Sequence, residues 1–76
     1  MPKRYRPREV VRILESFDWR VTSRHGSHVR FTKAGMRTHV TVAISQREIP
    51  RGTLRNIIRQ AGLTPRQFEE RGDDLL

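Results

Sequence analysis

The chain has 76 residues and a formal net charge of +8, from sixteen basic and eight acidic side chains. It contains no cysteine, which excludes disulfides and thiolate metal sites, and it has no apolar run of the roughly 20 residues that a membrane-spanning helix needs. Fourteen of the sixteen basic residues are arginine, whose planar guanidinium suits phosphate oxygens, so the composition favours a polyanion partner over a merely basic soluble domain.

The N-terminal segment MPKRYRPRE is basic, but no hydrophobic run follows it, so we do not expect a secretory signal. We expect a soluble, cytoplasmic protein with one domain, residues 1–76, and an ordered core of about residues 7–71. Acidic residues concentrate after Phe68, and residues 72–76 are predicted to form a loose acidic tail. Because so small a core gains stability from association, weak self-association is one option.

The first predicted element is an amphipathic helix in the segment RPREVVRILESFDW. Its apolar positions, at the i, i+3, i+4 and i+7 spacing of one helix face, are Val10, Ile13, Leu14 and Phe17. Pro7 suits the first turn of such a helix. Phe17 and Trp19 are expected in the core rather than on a base-stacking surface.

An alternating pattern follows and predicts three short strands in a meander, with turns at Gly26-Ser27 and Ala34-Gly35. In the first strand, one side holds Trp19, Val21 and Ser23, and the other holds Arg20, Thr22 and Arg24. Later residues predicted to face the core are Val29, Phe31, Val40, Val42 and Ile44. The period of two then places on the open face His28, Arg30, Thr32, His39 and Thr41.

Two more helices are predicted. In TLRNIIRQAG the helical stripe is Leu54, Ile57, Ile58 and Ala61, with Gly62 as the C-terminal stop. A short last helix starts at LTPRQF, where Thr64 and Gln67 have the spacing of a capping box. The predicted fold is α+β: a small two-layer sandwich of order α-β-β-β-α(-α), in which both helical stripes cover one face of a three-stranded antiparallel sheet.

Histidine is the first candidate for chemistry, because it exchanges protons near neutral pH and the sequence has no metal-ligand spacing or Gly-rich phosphate loop. No cofactor is expected. His28 begins a strand and points outward, so it can act as a general acid or base on RNA, or it can be an ordinary surface histidine. His25 adjoins the turn and is interpreted as incidental. His39 shares the open face, and a pair with His28 depends on the strand register.

Arg51, Arg55 and Arg59 form a stripe at i, i+4 and i+8 on the second helix, on the side opposite Leu54 and Ile58. Like charges at this spacing disfavour the helix slightly, which an anionic ligand would reverse. The stripe therefore suits RNA phosphates or an acidic protein surface, with a merely solvated face as the alternative.

Three segments in order, FDW, RHGSHVRF and RGTLRNIIRQAGLT, resemble the HicA family of toxins from toxin–antitoxin modules, over about residues 8–70. The most telling pieces are the Gly-Ser-His triplet at 26–28 and Gly-Thr-Leu-Arg at 52–55. One departure is VAIS after the third strand, where many members have Val-Pro-x-His. Ser45 stands in the place of that second histidine, and any second catalytic group is therefore in question.

The resemblance implies a fold like the double-stranded-RNA-binding domain and a ribonuclease that cleaves messenger RNA. It places the catalytic histidine at His28 and implies a HicB-type antitoxin as partner. Ser27 then shapes the turn or binds phosphate. Arg24, Arg30 and Lys33 are further candidates for holding the RNA backbone.

The leading hypothesis is a metal-independent endoribonuclease toxin that leaves a 2′,3′-cyclic phosphate or a 3′-phosphate. The main alternative is a non-catalytic RNA-binding module of the same fold, for which His28 matters no more than Arg30. A third interpretation is a protein-interaction domain whose arginine stripe binds an acidic partner.

Overall fold

The computed structural model describes residues 4–76, so the first three residues of the basic N-terminal segment lie outside the described part of the chain. Its elements are α1 (Pro7–Ser16), β1 (Arg20–His25), β2 (His28–Thr32), β3 (Val40–Ala43), α2 (Arg51–Gln60) and α3 (Pro65–Leu75). The strands form one antiparallel sheet in the order β1-β2-β3. The predicted α+β class and element order are confirmed, while the closer likeness to double-stranded-RNA-binding domains stays a prediction.

The first helix forms where the sequence predicts it and turns the chain sharply into the sheet. Its start is fixed by Pro7 and by the backbone N–H of Arg6, which donates to Glu9 Oε1 at 2.8 Å. Beyond its end, Asp18 takes a left-handed backbone with φ of 72°, and the Trp19 N–H donates to the Leu14 carbonyl at 3.1 Å. This reversal places the Trp19 side chain in the core, where it is fully buried.

The core lies between the helices and one face of the sheet. α1 and α2 both pack on β3, and α3 packs on α1 and α2. The sheet contributes alternate residues, all of them buried, as predicted: Val29, Phe31, Val40 and Val42. α2 contributes Leu54, Ile57 and Ile58. The opposite face of β2 and β3 carries the residues predicted for it and stays open.

The first strand departs from its predicted pattern. Every residue of β1 is exposed, and Val21, predicted on the same side as the core residue Trp19, is 53% exposed. The reason is the position of the helices, which pack on β3 at one edge of the sheet, while β1 forms the other edge and contacts mainly β2. The apolar alternation of a strand therefore does not guarantee burial when nothing covers its end of the sheet.

The predicted loose tail is wrong, because α3 continues through residues 72–75 and ends at Leu75. Gly72 is a packing position and not a helix stop: a Cβ at this position would lie 3.0 Å from Ile13 Cδ1 of α1. Next to it, Arg71 Nη1 donates to the carbonyl and hydroxyl oxygens of Ser16 at 2.9 and 3.0 Å. The Arg71 guanidinium also stacks 4.0 Å from the centre of the Phe17 ring. These contacts fasten α3 to the end of α1.

The start of α3 follows the predicted capping box. The Thr64 hydroxyl accepts from the Gln67 N–H at 3.1 Å, and the Thr64 N–H donates to the Gln67 side chain at 2.8 Å. Within residues 4–76, no helix combines the length and the apolar character needed to cross a bilayer.

Candidate active site

The turn between β1 and β2 is short and fixed on both sides. Gly26 has a φ of 58° and Ser27 a negative φ, a combination typical of the two-residue type II′ turn, which matches the twist of the strands that it joins. The Gly26 carbonyl accepts from Arg24 Nε at 2.9 Å. The Ser27 carbonyl accepts from the N–H of Ile44, just after β3, at 2.8 Å. The turn is therefore fastened both to β1 and to the end of β3.

This turn makes two histidines direct neighbours. In the strand register His25 is the partner of His28, and the two residues flank Gly26 and Ser27. Directly opposed residues in an antiparallel pair put their side chains on the same face, with Cβ atoms about 4.5–5.5 Å apart. Both side chains are exposed, and His28 also faces Ala43 of β3, whose small side chain leaves room beside it.

A β-bulge in β1 shifts the alternation of this strand between Val21 and Ser23. Val21 pairs with Phe31 and Ser23 with Arg30, so Thr22 is the extra residue. Because a bulge shifts the alternation by one, Ser23 joins Arg30 on the open face and Arg24 moves to the other face, as the partner of Val29. The alternation predicted for β1 is therefore wrong beyond the bulge: Ser23 no longer shares the side of Val21, and Arg24 no longer shares the side of Arg20. Arg24 instead lies on the face opposite Arg30 and binds the Gly26 carbonyl of the turn.

Arg30 is the basic residue of the open face that lies nearest to His28 along β2. Its Nη2 lies 3.4 Å from Nε2 of His39, so the two side chains contact each other across the face. Thr41 is the partner of Arg30 in β3 and completes this polar row. Arginine beside a histidine is a suitable arrangement for a phosphate, because the guanidinium can hold two of its oxygens.

The structure does not bring His39 to His28. His28 is the partner of Ala43, and His39 lies four residues before Ala43, which corresponds to about 13 Å at about 3.3 Å per residue of strand. The two share the open face, as predicted, but the conceivable acid/base pair between them is not formed. The histidine beside His28 is His25, which was predicted to be incidental.

Three further candidate residues differ in how close they lie to the turn. Ser27 forms the turn itself and is partly buried. Ser45 is exposed and follows Ile44, whose N–H binds the Ser27 carbonyl, so its backbone lies close to the turn. Lys33 follows the far end of β2 and is partly buried, five residues along the chain from His28.

The arginine stripe lies elsewhere. Arg51, Arg55 and Arg59 are all exposed on α2, in the helical layer and not on the open face of the sheet. The stripe was predicted on the side opposite Leu54 and Ile58. Consecutive residues of a helix are about 100° apart, however, so Arg55 and Arg59 lie beside those two residues and not opposite them. Arg59 Nη2 donates to Asn56 Oδ1 at 2.6 Å. Arg51 lines a surface groove with Arg4, Arg47 and Glu48, in which Arg4 Nη1 is 3.5 Å from Glu48 Oε2.

Comparison with known protein families shows to which family this chain belongs. A family model described as the HicA toxin of bacterial toxin–antitoxin systems matches residues 7–63. The chain belongs to the HicA toxin family. The resemblance carried by FDW, Gly-Ser-His and Gly-Thr-Leu-Arg is thereby confirmed, and so is a toxin role within a toxin–antitoxin module. The comparison with curated proteins gave no match.

The HicA match spans α1, the sheet and α2, and it ends at residue 63, before α3. The histidine hairpin and the arginine stripe therefore both lie in the part that the family model describes, while the Arg71 and Gly72 contacts with α1 lie beyond it. Residues 4–76 of this HicA protein hold no group of three or more His, Cys, Asp or Glu side chains that could bind a metal ion.

His25 is a neighbour of His28 that was not predicted from the sequence. A signal for it was present: if Gly26 and Ser27 alone form the turn, the residues on either side of them must be partners. The sequence left the turn uncertain by one or two residues, and a shift of one residue would have separated the two histidines.

Proposed function

We propose that this HicA-family toxin is an endoribonuclease that cleaves messenger RNA without a metal ion, with His28 as a general acid/base. The observation that carries the proposal is the place of His28: an exposed histidine at the start of the central strand, next to a turn fastened by Arg24 and Ile44. A catalytic group needs a fixed backbone and an accessible side chain, and His28 has both.

The reaction suits the side chains of the open face. The RNA 2′-hydroxyl attacks the adjacent phosphorus once a base removes its proton, and the bond to the 5′-oxygen breaks. Arg30 can bind the phosphate oxygens, whose negative charge increases in the transition state. The products are a 2′,3′-cyclic phosphate, or the 3′-phosphate formed from it by water, and a free 5′-hydroxyl.

The test is cleavage of a defined RNA in EDTA, with the product ends mapped. We expect the wild type to leave cyclic or 3′-phosphate ends and His28→Ala to be slower by about 10²–10⁴-fold, the usual contribution of one acid/base group. Ser23→Ala is the matched control, because Ser23 lies on the same open face, opposite Arg30, and has no part in the proposed chemistry. Its rate should stay within a few-fold of the wild type.

RNA binding must be measured for the same variants to separate catalysis from affinity. Equal RNA affinity of the wild type and His28→Ala, with cleavage by neither, would favour the RNA-binding module instead. A requirement for Mg²⁺ would contradict the metal-free mechanism. We expect the affinity to fall steeply with salt, because arginine contacts to phosphates release counterions.

We also propose that a HicB-type antitoxin in the cytoplasm neutralises the toxin. Support comes from the family match to toxin–antitoxin systems and from the exposed stripe Arg51, Arg55 and Arg59, which suits an acidic surface. Charge reversal of the stripe to glutamate should weaken binding of the antitoxin and leave the cleavage rate of the free toxin unchanged. Loss of RNA cleavage in that variant would instead assign the stripe to the substrate.

A further inference from the structure

We propose that His25 is the second acid/base group of this site, acting together with His28 on one phosphate. This inference rests on the proposed ribonuclease function and extends it to a residue on the edge strand. The observation is the register of the hairpin, in which His25 and His28 are direct partners across a two-residue turn and both side chains are exposed.

The spacing of the pair fits a phosphate. Cβ atoms about 4.5–5.5 Å apart allow the two imidazole rings to reach different oxygens of the same group. The two rings can bind a phosphate without breaking any backbone hydrogen bond between β1 and β2, because side chains project from the sheet and not along it. Arg30 lies two residues along from His28 on the same face, and its own contact is with His39 and not with either histidine of the pair. Arg30 can therefore bind the nonbridging oxygens of the phosphate.

Each step of the reaction removes one proton and gives another, so it can use two groups. In the first step one imidazole accepts the proton of the 2′-hydroxyl, the 2′-oxygen bonds to phosphorus, and the other histidine, as imidazolium, gives its proton to the departing 5′-oxygen. In the second step the histidine that lost its proton takes one from water, whose oxygen attacks the cyclic phosphate. The histidine that gained a proton returns it to the 2′-oxygen as that bond breaks. Both histidines end in their starting states.

The rigid turn explains why such a pair can work on an exposed surface. Gly26 supplies the positive φ of 58° that the turn needs, and the Ser27 carbonyl is bound by the Ile44 N–H. The separation of the two histidines is therefore set by backbone hydrogen bonds and by the turn, and not by side-chain packing. A shallow open site gains its precision from this short hairpin.

The first test is the rate and pH profile of RNA cleavage by the full chain and by His25→Gln and His25→Ala. Wild type should give a bell-shaped profile, with one limb for the base and one for the acid. Both variants should lose one limb and at least about 100-fold in kcat, with KM changed little. Ser23→Ala, on the same strand and face, is the matched control and should keep the profile of the wild type.

The second test uses a substrate with sulfur in place of the 5′-oxygen at the cleavage site, because a thiolate leaves without a proton. One of the variants His25→Ala and His28→Ala should regain most of the wild-type rate on this substrate, and the other should not. That outcome assigns the acid to the rescued position. Rescue of both or of neither would overturn the pair.

The two proposals fail in different ways. A wild type that cuts no RNA would refute the ribonuclease function itself. If His28→Ala is inactive while His25→Gln keeps its rate and both limbs of the pH profile, the function stands and the role of His25 is refuted. A rise in KM at unchanged kcat in His25→Gln would also refute it, since His25 would then only bind the RNA. Circular dichroism spectra like that of the wild type would confirm that the variants fold.

Discussion

Substitution of Gly72 by alanine tests whether the end of α3 is packed on α1. The new Cβ would lie 3.0 Å from Ile13 Cδ1 and 3.4 Å from the Tyr5 ring, inside the ordinary carbon–carbon separation of about 3.5–4.0 Å. Ile13 and Tyr5 are both fully buried, so neither can move away freely. Overpacking of this kind costs typically about 1–3 kcal/mol.

The helix itself gains from the same change. Replacing glycine by alanine inside a helix stabilises it by about 0.8–1.0 kcal/mol, so the net loss for Gly72→Ala is about 0–2 kcal/mol, with about 1 kcal/mol as the expected value. In a domain of this size a loss of about 1 kcal/mol lowers Tm by about 4–8 °C. Urea and thermal denaturation followed by circular dichroism measure both quantities.

Gly52→Ala is the matched control. Gly52 lies in α2, is exposed, and a Cβ there would meet no atom within 4 Å. This variant should be more stable than the wild type by up to about 1 kcal/mol, because only the helix term remains. A Gly72→Ala protein stabilised as much as Gly52→Ala would show that residues 72–75 are not held against α1, and the loose tail predicted from the sequence would be right after all.

Three other predictions concern the hairpin, the α1–α3 contact and the response to pH. Gly26→Ala should cost about 1–2 kcal/mol in urea denaturation, because alanine disfavours a positive φ, and RNA cleavage should slow with it; unchanged stability would contradict the turn geometry. Arg71→Ala should cost about 1–2 kcal/mol in the same assay, through the lost hydrogen bonds to Ser16 and the stacking on Phe17, and Arg71→Lys should recover little. Burial, with help from nearby carboxylates, raises the pKa of Tyr5, so the folded state keeps that proton more tightly than the unfolded chain. Stability should therefore be complete below the unfolded pKa of about 10 and fall as pH rises above it. Tyr5→Phe should be less sensitive over that range, and an equal loss in both proteins would refute the role of Tyr5.

The sequence predicted most of the fold because its apolar periods are clear. The stripe of α1 and the alternation in β2 and β3 each have one burial pattern that fits, and the structure follows it. The bulge at Thr22 could not be foreseen, since an exposed edge strand has no burial pattern in which an extra residue would be noticed. The prediction of a loose tail at residues 72–76 was wrong because a glycine that ends a helix and one that admits a neighbouring side chain look alike in a sequence.

The candidate site was predicted only in part, and for a related reason. His28 follows from its place at the start of β2, but its neighbours depend on register, which a sequence fixes only through the turn. A two-residue turn pairs His25 with His28, whereas a longer turn would have offered a different neighbour. The face on which Arg24 lies could not be predicted either, because it depends on the same bulge that moved Ser23.

The place of β1 at the margin of the sheet has a consequence for self-assembly. An uncovered edge strand offers backbone donors and acceptors on which another chain can add a strand, and natural proteins hinder this with charges and bulges. β1 has both: exposed arginines at positions 20 and 24 and the irregularity at Thr22. The histidine hairpin can therefore stay open to a large polymeric substrate without adding to a neighbouring molecule's sheet. A dimer of this toxin, where one forms, is expected to use a surface other than this edge.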